Sequence, residues 1–299
     1  MSSEPNTAEL SVLRELAAAG AAGLRTASQW QSWLWHAERF AYLGFTNTML
    51  VWAQRPDAVL LHDYAGWKRL GCQVTGGEHG IRIISASGTG KVVSLFDLTQ
   101  TEGPATVVKS HKGASSGIRP GSQDALTALA LRAGYRVAGI RPVETPTIDW
   151  EAKTIRATSG DLPALAAQVA HVLVHDDEHQ CGTVTATAES ASVTFLICRR
   201  LGLDTSWITF PHVTSWAGSD PRANPAAVVA RVGDRVLRAA LKAFVCIDAT
   251  THPTARSVTG PRRAVVAVAA RDSGTRAGTG TTARQRSDEL LRVLSEAAR

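Results

Sequence analysis

Gln73-Val74-Thr75-Gly76-Gly77-Glu78-His79-Gly80-Ile81-Arg82-Ile83-Ile84 is the stretch on which the fold class turns. Apolar and β-branched residues on either side of a glycine-rich segment read as strand, tight turn, strand. Toward the C-terminus, Gly88 to Gly90 marks another turn, and Val92-Val93-Ser94-Leu95-Phe96 closes a small sheet. Toward the N-terminus the apolar spacing becomes helical. Asp63 caps a short helix from Tyr64 to Leu70 that ends at Gly71. Residues 8–22 form an Ala/Leu-rich helix. A second helix runs from Gln29 to about Leu43, with Thr26 or Ser28 as its cap and Gly44 as its stop. Trp30, Leu34, Ala37 and Ala41 share one stripe of it, and Trp33, Phe40 and Leu43 widen that stripe. Helices and strands are mixed without strict alternation, which points to an α+β fold and away from a doubly wound sheet.

Beyond the small sheet, Ser110 to Gln123 is rich in Ser, Gly, Lys and Pro, the composition of a linker or loop. A helix follows over Ala125–Gly134. Thr145 to Thr158 is a strand or hairpin carrying Trp150, and helices follow near Asp161–Asp176, Thr183–Leu201 and Asn224–Cys246. Pro253 to Gly260 breaks the pattern, and Ser287 caps a last helix. With roughly 100–200 residues per domain, 299 residues suggest two domains. The expected division is a small mixed helix/sheet domain over 1–110, a linker over 111–124, a mostly helical domain with a small sheet over 125–250, and an Arg-rich tail over 251–299.

Hydrophobic residues make up 44% and charged residues 19%, which excludes wholesale disorder and fibrous repeats. No apolar run approaches the ~20 residues of a membrane helix, and Met1-Ser2-Ser3-Glu4-Pro5 lacks the features of a signal peptide. The expectation is a soluble cytoplasmic protein without a membrane partner. Cys72, Cys181, Cys198 and Cys246 are far apart, with no C-x-x-C pair, so they read as reduced core thiols. The net charge of +6 is uneven. Residues 1–110 balance nine Lys/Arg against nine Asp/Glu, whereas residues 250–299 set nine Arg against four acids. Such a tail either meets a polyanion or is simply solvated.

Five of the eight tryptophans fall within the first 67 residues. Trp30 and Trp33, three apart on one helix, read as core. Aromatic rings beside basic and amide side chains can form a platform on which unpaired bases stack. Trp52, Gln54, Arg55, Trp67, Lys68 and Arg69 are the candidates, the alternative for the two rings being ordinary core.

Several spaced segments then occur in order. They are Trp30-x-x-Trp33-Leu34, Gly44-Phe45-Thr46-Asn47-Thr48-Met49-Leu50, Ala53-Gln54-Arg55-Pro56-Asp57-Ala58, Gly66-Trp67-x-x-Leu70-Gly71, Gly77-Glu78-x-Gly80-Ile81, and Phe96 through Gly103. Over roughly residues 28–103 this resembles the N-terminal domain of ArdC-type antirestriction proteins. The resemblance implies a single-stranded-DNA-binding domain, typically encoded on plasmids or other mobile elements, and adds Asn47 to the candidate contacts. In such proteins basic residues surround the Gly-Glu-x-Gly turn. Here the turn carries no Lys or Arg and the domain is neutral, so it should bind weakly unless the basic second half helps.

The second half of such proteins resembles a zincin-like H-E-x-x-H metallopeptidase, in which two His at i,i+4 bind zinc and the Glu activates water. Leu165-Ala166-Ala167-Gln168-Val169-Ala170-His171 looks like that helix, with His171 at the second ligand's place. Ala167 stands where the first ligand belongs and Gln168 where the base belongs. Glu189, in Thr187-Ala188-Glu189-Ser190-Ala191, stands at the third ligand's place. Ala167 has no lone pair, and Gln168 cannot accept a proton at neutral pH. A shifted site of His171, His175 and Glu189 (or Glu178) would move the pair about 6 Å along the helix. Otherwise Glu189 and His171 hydrogen-bond each other.

The expected function is therefore non-catalytic binding of single-stranded nucleic acid, of the antirestriction type, with no cofactor unless His171, Glu189 and His175 retain a residual zinc. One alternative is a divergent zinc metallopeptidase using His171, His175 and Glu189. The other is a protein-interaction module whose pocket or tail docks a protein partner.

Overall fold

In the computed structural model, residues 4–85, 91–104, 117–175, 182–219 and 222–251 are described. They form two compact units, and the fold is α+β, mostly helical with small sheets. The tail beyond residue 251, residues 111–116 of the linker, Glu178 and Cys181 lie outside the described residues.

The first unit contains helix α1 (Glu4–Gly23) and the chain from Tyr42 to residue 104. Helix α3 (Gly44–Gln54) lies against α1, with Leu13, Leu16, Met49 and Leu50 all buried. Gly44 was expected to stop a helix. It adopts φ 74, a left-handed conformation that favours glycine, and opens α3 immediately. Helix α4 (Tyr64–Arg69) is capped as expected: the Gly66 N–H donates to Asp63 Oδ1 at 2.6 Å.

The strands are β1 (Leu61–His62), β2 (Gln73–Val74), β3 (Ile81–Ile84), β4 (Val92–Asp97) and β5 (Thr101–Glu102). The sheet order is β1-β4-β3, all antiparallel, while β2 pairs with β5. The two strands around the Gly76–Gly80 turn therefore do not pair with each other. The turn wraps around Gln100 instead. Gln100 Nε2 donates to Glu78 Oε2 at 2.7 Å and to the His79 carbonyl at 2.8 Å, and the Thr75 N–H donates to the Gln100 carbonyl at 3.0 Å. Gln100 is held in turn by Asp97, whose buried carboxylate accepts from the Val59, Leu60 and Thr99 N–H groups. Its own N–H donates to Gln100 Oε1 at 2.9 Å. The Phe96–Gly103 and Gly77–Gly80 segments thus interlock.

The second unit contains Arg25–Ala41 and the described chain from residue 117 onward. Helix α2 (Ala27–Phe40) belongs here although it precedes α3 in sequence. Thr26 and Gln29 form its capping box. Trp30 and Trp33 are fully buried with ring centroids 4.7 Å apart. Trp30 meets Trp216 edge-on at 5.3 Å and donates from Nε1 to Ser192 Oγ at 2.8 Å.

After α5 (Ser122–Arg132), β6 (Arg136–Ile140) runs parallel to β8 (Thr154–Thr158), which also pairs antiparallel with β7 (Thr147–Asp149). Helices α6 (Leu162–Val174), α7 (Val184–Leu201), α8 (Val213–Ala217) and α9 (Pro225–Thr251) complete the unit. Helix α7 is the hub. It packs against α6, α9, α8 and α2, and Val193, Phe195, Leu196, Ile197 and Cys198 are completely buried. No helix among the described residues is long and apolar enough to cross a membrane.

Candidate functional site

Helix α6 starts at Asp161, whose Oδ1 accepts from the Ala164 N–H at 3.0 Å, with Pro163 in its first turn. Leu165, Ala166, Val169 and Ala170 bury one face. The opposite face presents Ala167, Gln168 and His171, one helical turn apart, to a single cleft of about 280 Å³. Helix α7 supplies Thr187, Ser190, Ala191 and Thr194, and Trp207, Ile208 and Thr209 close the far side. The three positions that would carry two ligands and a base in an H-E-x-x-H helix therefore do face one cavity. The cavity holds one imidazole, a methyl group and a neutral amide.

The shifted metal set is not assembled. Helix α6 ends at Val174, and His175 is already extended (φ −121, ψ 142). Its N–H still donates to the His171 carbonyl at 3.0 Å, so the two rings stay one turn apart. His175 is buried, with Nε2 3.1 Å from Ser190 Oγ and 3.3 Å from the Ala186 carbonyl. Its ring meets that of His171 edge-on at 5.1 Å. Glu189 turns toward α9, where Arg235 Nη1 donates to its Oε2 at 3.1 Å. It does not line the cleft wall formed by its neighbours Ser190 and Thr187. No group of three His, Cys, Asp or Glu suited to a metal ion occurs among the described residues. Among the described residues the donor set does not fit zinc: one ligand place is Ala167, His175 Nε2 is turned to Ser190 and the Ala186 carbonyl, and Glu189 is engaged by a guanidinium.

The electrostatics agree with this geometry. Burial, assisted by neighbouring His175, holds His171 below the ordinary imidazole pKa. Burial pushes the Glu189 carboxyl above the usual carboxylate range, against the opposing pull of Arg235 and then Arg231.

In the first unit, three expected nucleic-acid contacts have structural roles. Trp67 is fully buried and donates from Nε1 to the Phe96 carbonyl at 2.9 Å, so it has no free face for a base. Asn47 and Gln54 are spent on strand β3. Asn47 Nδ2 donates to the Ile84 carbonyl at 2.8 Å, and Asn47 Oδ1 accepts from the Ile84 N–H at 2.9 Å. Gln54 does the same at Arg82, both at 2.8 Å. β3 is an edge strand in the order β1-β4-β3, and the two amides replace the strand it lacks.

Lys68 and Arg69 are exposed on α4, while Trp52 and Arg55 are half-buried on or beside α3. Arg55 lies 3.9 Å from Asp57. Tyr64, not among the residues singled out from sequence, is 52% exposed one turn before Lys68 on α4, and its hydroxyl accepts from Gln73 Nε2 at 2.9 Å. Asp63 as cap fixes the helix phase. With that phase, positions 64 and 68 share the outer face and position 67 points inward.

The fold and cleft define a class: an α+β protein whose second unit lines one cleft with Ala167, Gln168 and His171 of α6 and with side chains of α7. The chain matches no protein-family model and no curated protein. Among solved structures it is similar to the antirestriction ArdC protein from the R388 plasmid, in metal-free and Mn(II)-bound crystal structures. Identity is 18% in both cases. The matches cover 70% and 68% of this chain and 85% and 87% of the other, with TM-scores of 0.41 and 0.40.

Proposed function

We propose that this chain is a non-catalytic protein of the antirestriction type, belonging to mobile-element biology, that binds single-stranded nucleic acid. The binding half of the reading is carried by one observation: the outer face of α4, where exposed Tyr64 stands one turn before exposed Lys68, with Arg69 beside it. An exposed ring, its hydroxyl held by Gln73 Nε2 at 2.9 Å, next to two cations suits an unpaired base and its phosphate, and binding of this kind tolerates many sequences. Arg55 and half-buried Trp52 extend the set of contacts. The ordered motifs of residues 28–103 and their resemblance to the single-stranded-DNA-binding domain support the same reading. The non-catalytic half rests on Ala167 and Gln168, which stand in the cleft where the resemblance puts a metal ligand and the water-activating base.

Fluorescence anisotropy with a labelled single-stranded oligonucleotide tests the reading. Affinity is expected to fall as salt rises. Tyr64→Ala should cost about 1–3 kcal/mol of binding without loss of folding. Binding that is absent at low salt, or that ignores salt, overturns the proposal.

A further inference from the structure

Helix α9 spans 27 residues, and its buried side, including Val229, Val232, Val236, Ala240 and Ala243, belongs to the core. The opposite side carries Arg231, Arg235, Arg238 and Lys242, all exposed. Spacings of four, three and four residues place them on one line along the helix. At 1.5 Å rise per residue the four cations span about 16 Å, with about 4.5–6 Å between successive charges. Exposed Leu241 (37%) and Val245 (60%) adjoin the line.

Among the described residues, two carboxylates are near. Asp234 flanks the line on the same helix. Glu189, buried beneath it, takes one guanidinium nitrogen of Arg235, whose side chain is still 47% exposed. Four cations against two acids leave a net positive track, and the acids lie beside it and below it, not in it.

We infer that this face of α9 is a second phosphate track, on which Arg231, Arg235, Arg238 and Lys242 follow the backbone of a single nucleic-acid strand. The inference rests on the single-strand reading above and assigns it a surface in the second unit. A row one charge wide follows one backbone. The adjoining apolar side chains give unstacked bases a surface to lie on, which a duplex, with its bases stacked inside, cannot use. The first 110 residues carry no net charge, so a track elsewhere supplies the counterion release that single-strand affinity requires.

The test uses the full chain and a labelled 20-nucleotide oligo(dT), with Kd measured by anisotropy between 50 and 200 mM salt. Each phosphate contact to a single strand contributes about 0.7 to the log–log salt slope, so each contact costs roughly 2–3-fold in affinity over that range. The triple variant Arg231→Gln, Arg238→Gln, Lys242→Gln should flatten the slope by about 2. These side chains are exposed, so its melting temperature should match that of the parent. The double variant Arg231→Lys, Arg238→Lys, with Lys242 kept, should retain the slope. Glu189→Gln should steepen it, because Arg235 is then released to a phosphate.

An unchanged slope in the Gln triple overturns the inference. If Lys68→Gln with Arg69→Gln still weakens binding in that case, the proposed function stands without it. If the parent protein binds no oligonucleotide, both fail. Equal affinity for a 20-base-pair duplex overturns the assignment to a single strand.

Discussion

Cys198 lies wholly inside α7, and burial, with the nearby Asp204 carboxylate adding to it, pushes its thiol up to about 12. Thiolate is the reactive form, so at pH 8 the side chain is inert. Iodoacetamide at pH 8 should leave Cys198 unmodified in the native protein and alkylate it in guanidinium, read by peptide mass spectrometry; labelling of native Cys198 would contradict the packing of α7.

His171 makes a pH prediction of definite sign. Its folded pKa lies below the ordinary value of about 6.5, so near that pH the unfolded chain binds a proton that the folded chain refuses. Its contribution to stability is complete above about 6.5 and is lost as pH falls from there toward the folded pKa. Urea melts at pH 7.5 and 5.5 should show a smaller acid loss for His171→Gln than for the parent. An equal or larger loss would mean that His171 is not the half-buried imidazole of the α6 cleft.

At the scale of elements, the helix α3 and strand β3 are joined by side chains acting as backbone. Truncating Asn47 or Gln54 leaves an N–H and a carbonyl of β3 without partners. Each of Asn47→Ala and Gln54→Ala should therefore cost about 1–3 kcal/mol in urea unfolding. Folding loss of that size, with binding per folded molecule unchanged, separates a structural amide from a nucleic-acid contact. Most elements were legible from local signals. Thr26 and Asp63 as caps, and the apolar periods of α6, α7 and α9, need only residues within a turn or two of each other.

What was not legible depended on distant partners. Nothing near Gln73 shows that β2 pairs with Glu102 and Thr101 rather than across its own glycine turn. Nothing near Asn47 announces the edge strand thirty-seven residues away. The cleft was half legible. Helical phase correctly placed Ala167, Gln168 and His171 together, but the end of α6 at Val174 and the grip of Arg235 on Glu189 are tertiary facts. Trp67 shows the same limit: its composition suited a stacking ring, while the phase set by Asp63 turned it inward and left Tyr64 outside.

For the molecule as a whole, chain order and packing order differ at α2. The expected boundary near residue 110 would assign α2 to the first half, yet its side chains complete the second unit. Trp30 fills a place between Trp216 and Ser192. Glu38 pairs with Arg199 at 2.9 Å, and the Arg199 guanidinium covers the Trp35 ring. Removing α2 would expose the face of α7 that Trp30, Trp33 and Leu34 now keep dry and would leave Ser192 without the indole. Truncating even one large core side chain costs about 3–5 kcal/mol, comparable to the whole stability of many domains. A fragment of residues 115–251 should therefore lack a cooperative melt and bind a hydrophobic dye, whereas the fragment plus a separate peptide of residues 25–41 should recover the near-ultraviolet signal of packed tryptophan. A cooperative transition in the fragment alone, at the temperature of the intact chain, would show that α2 merely leans on a unit already complete.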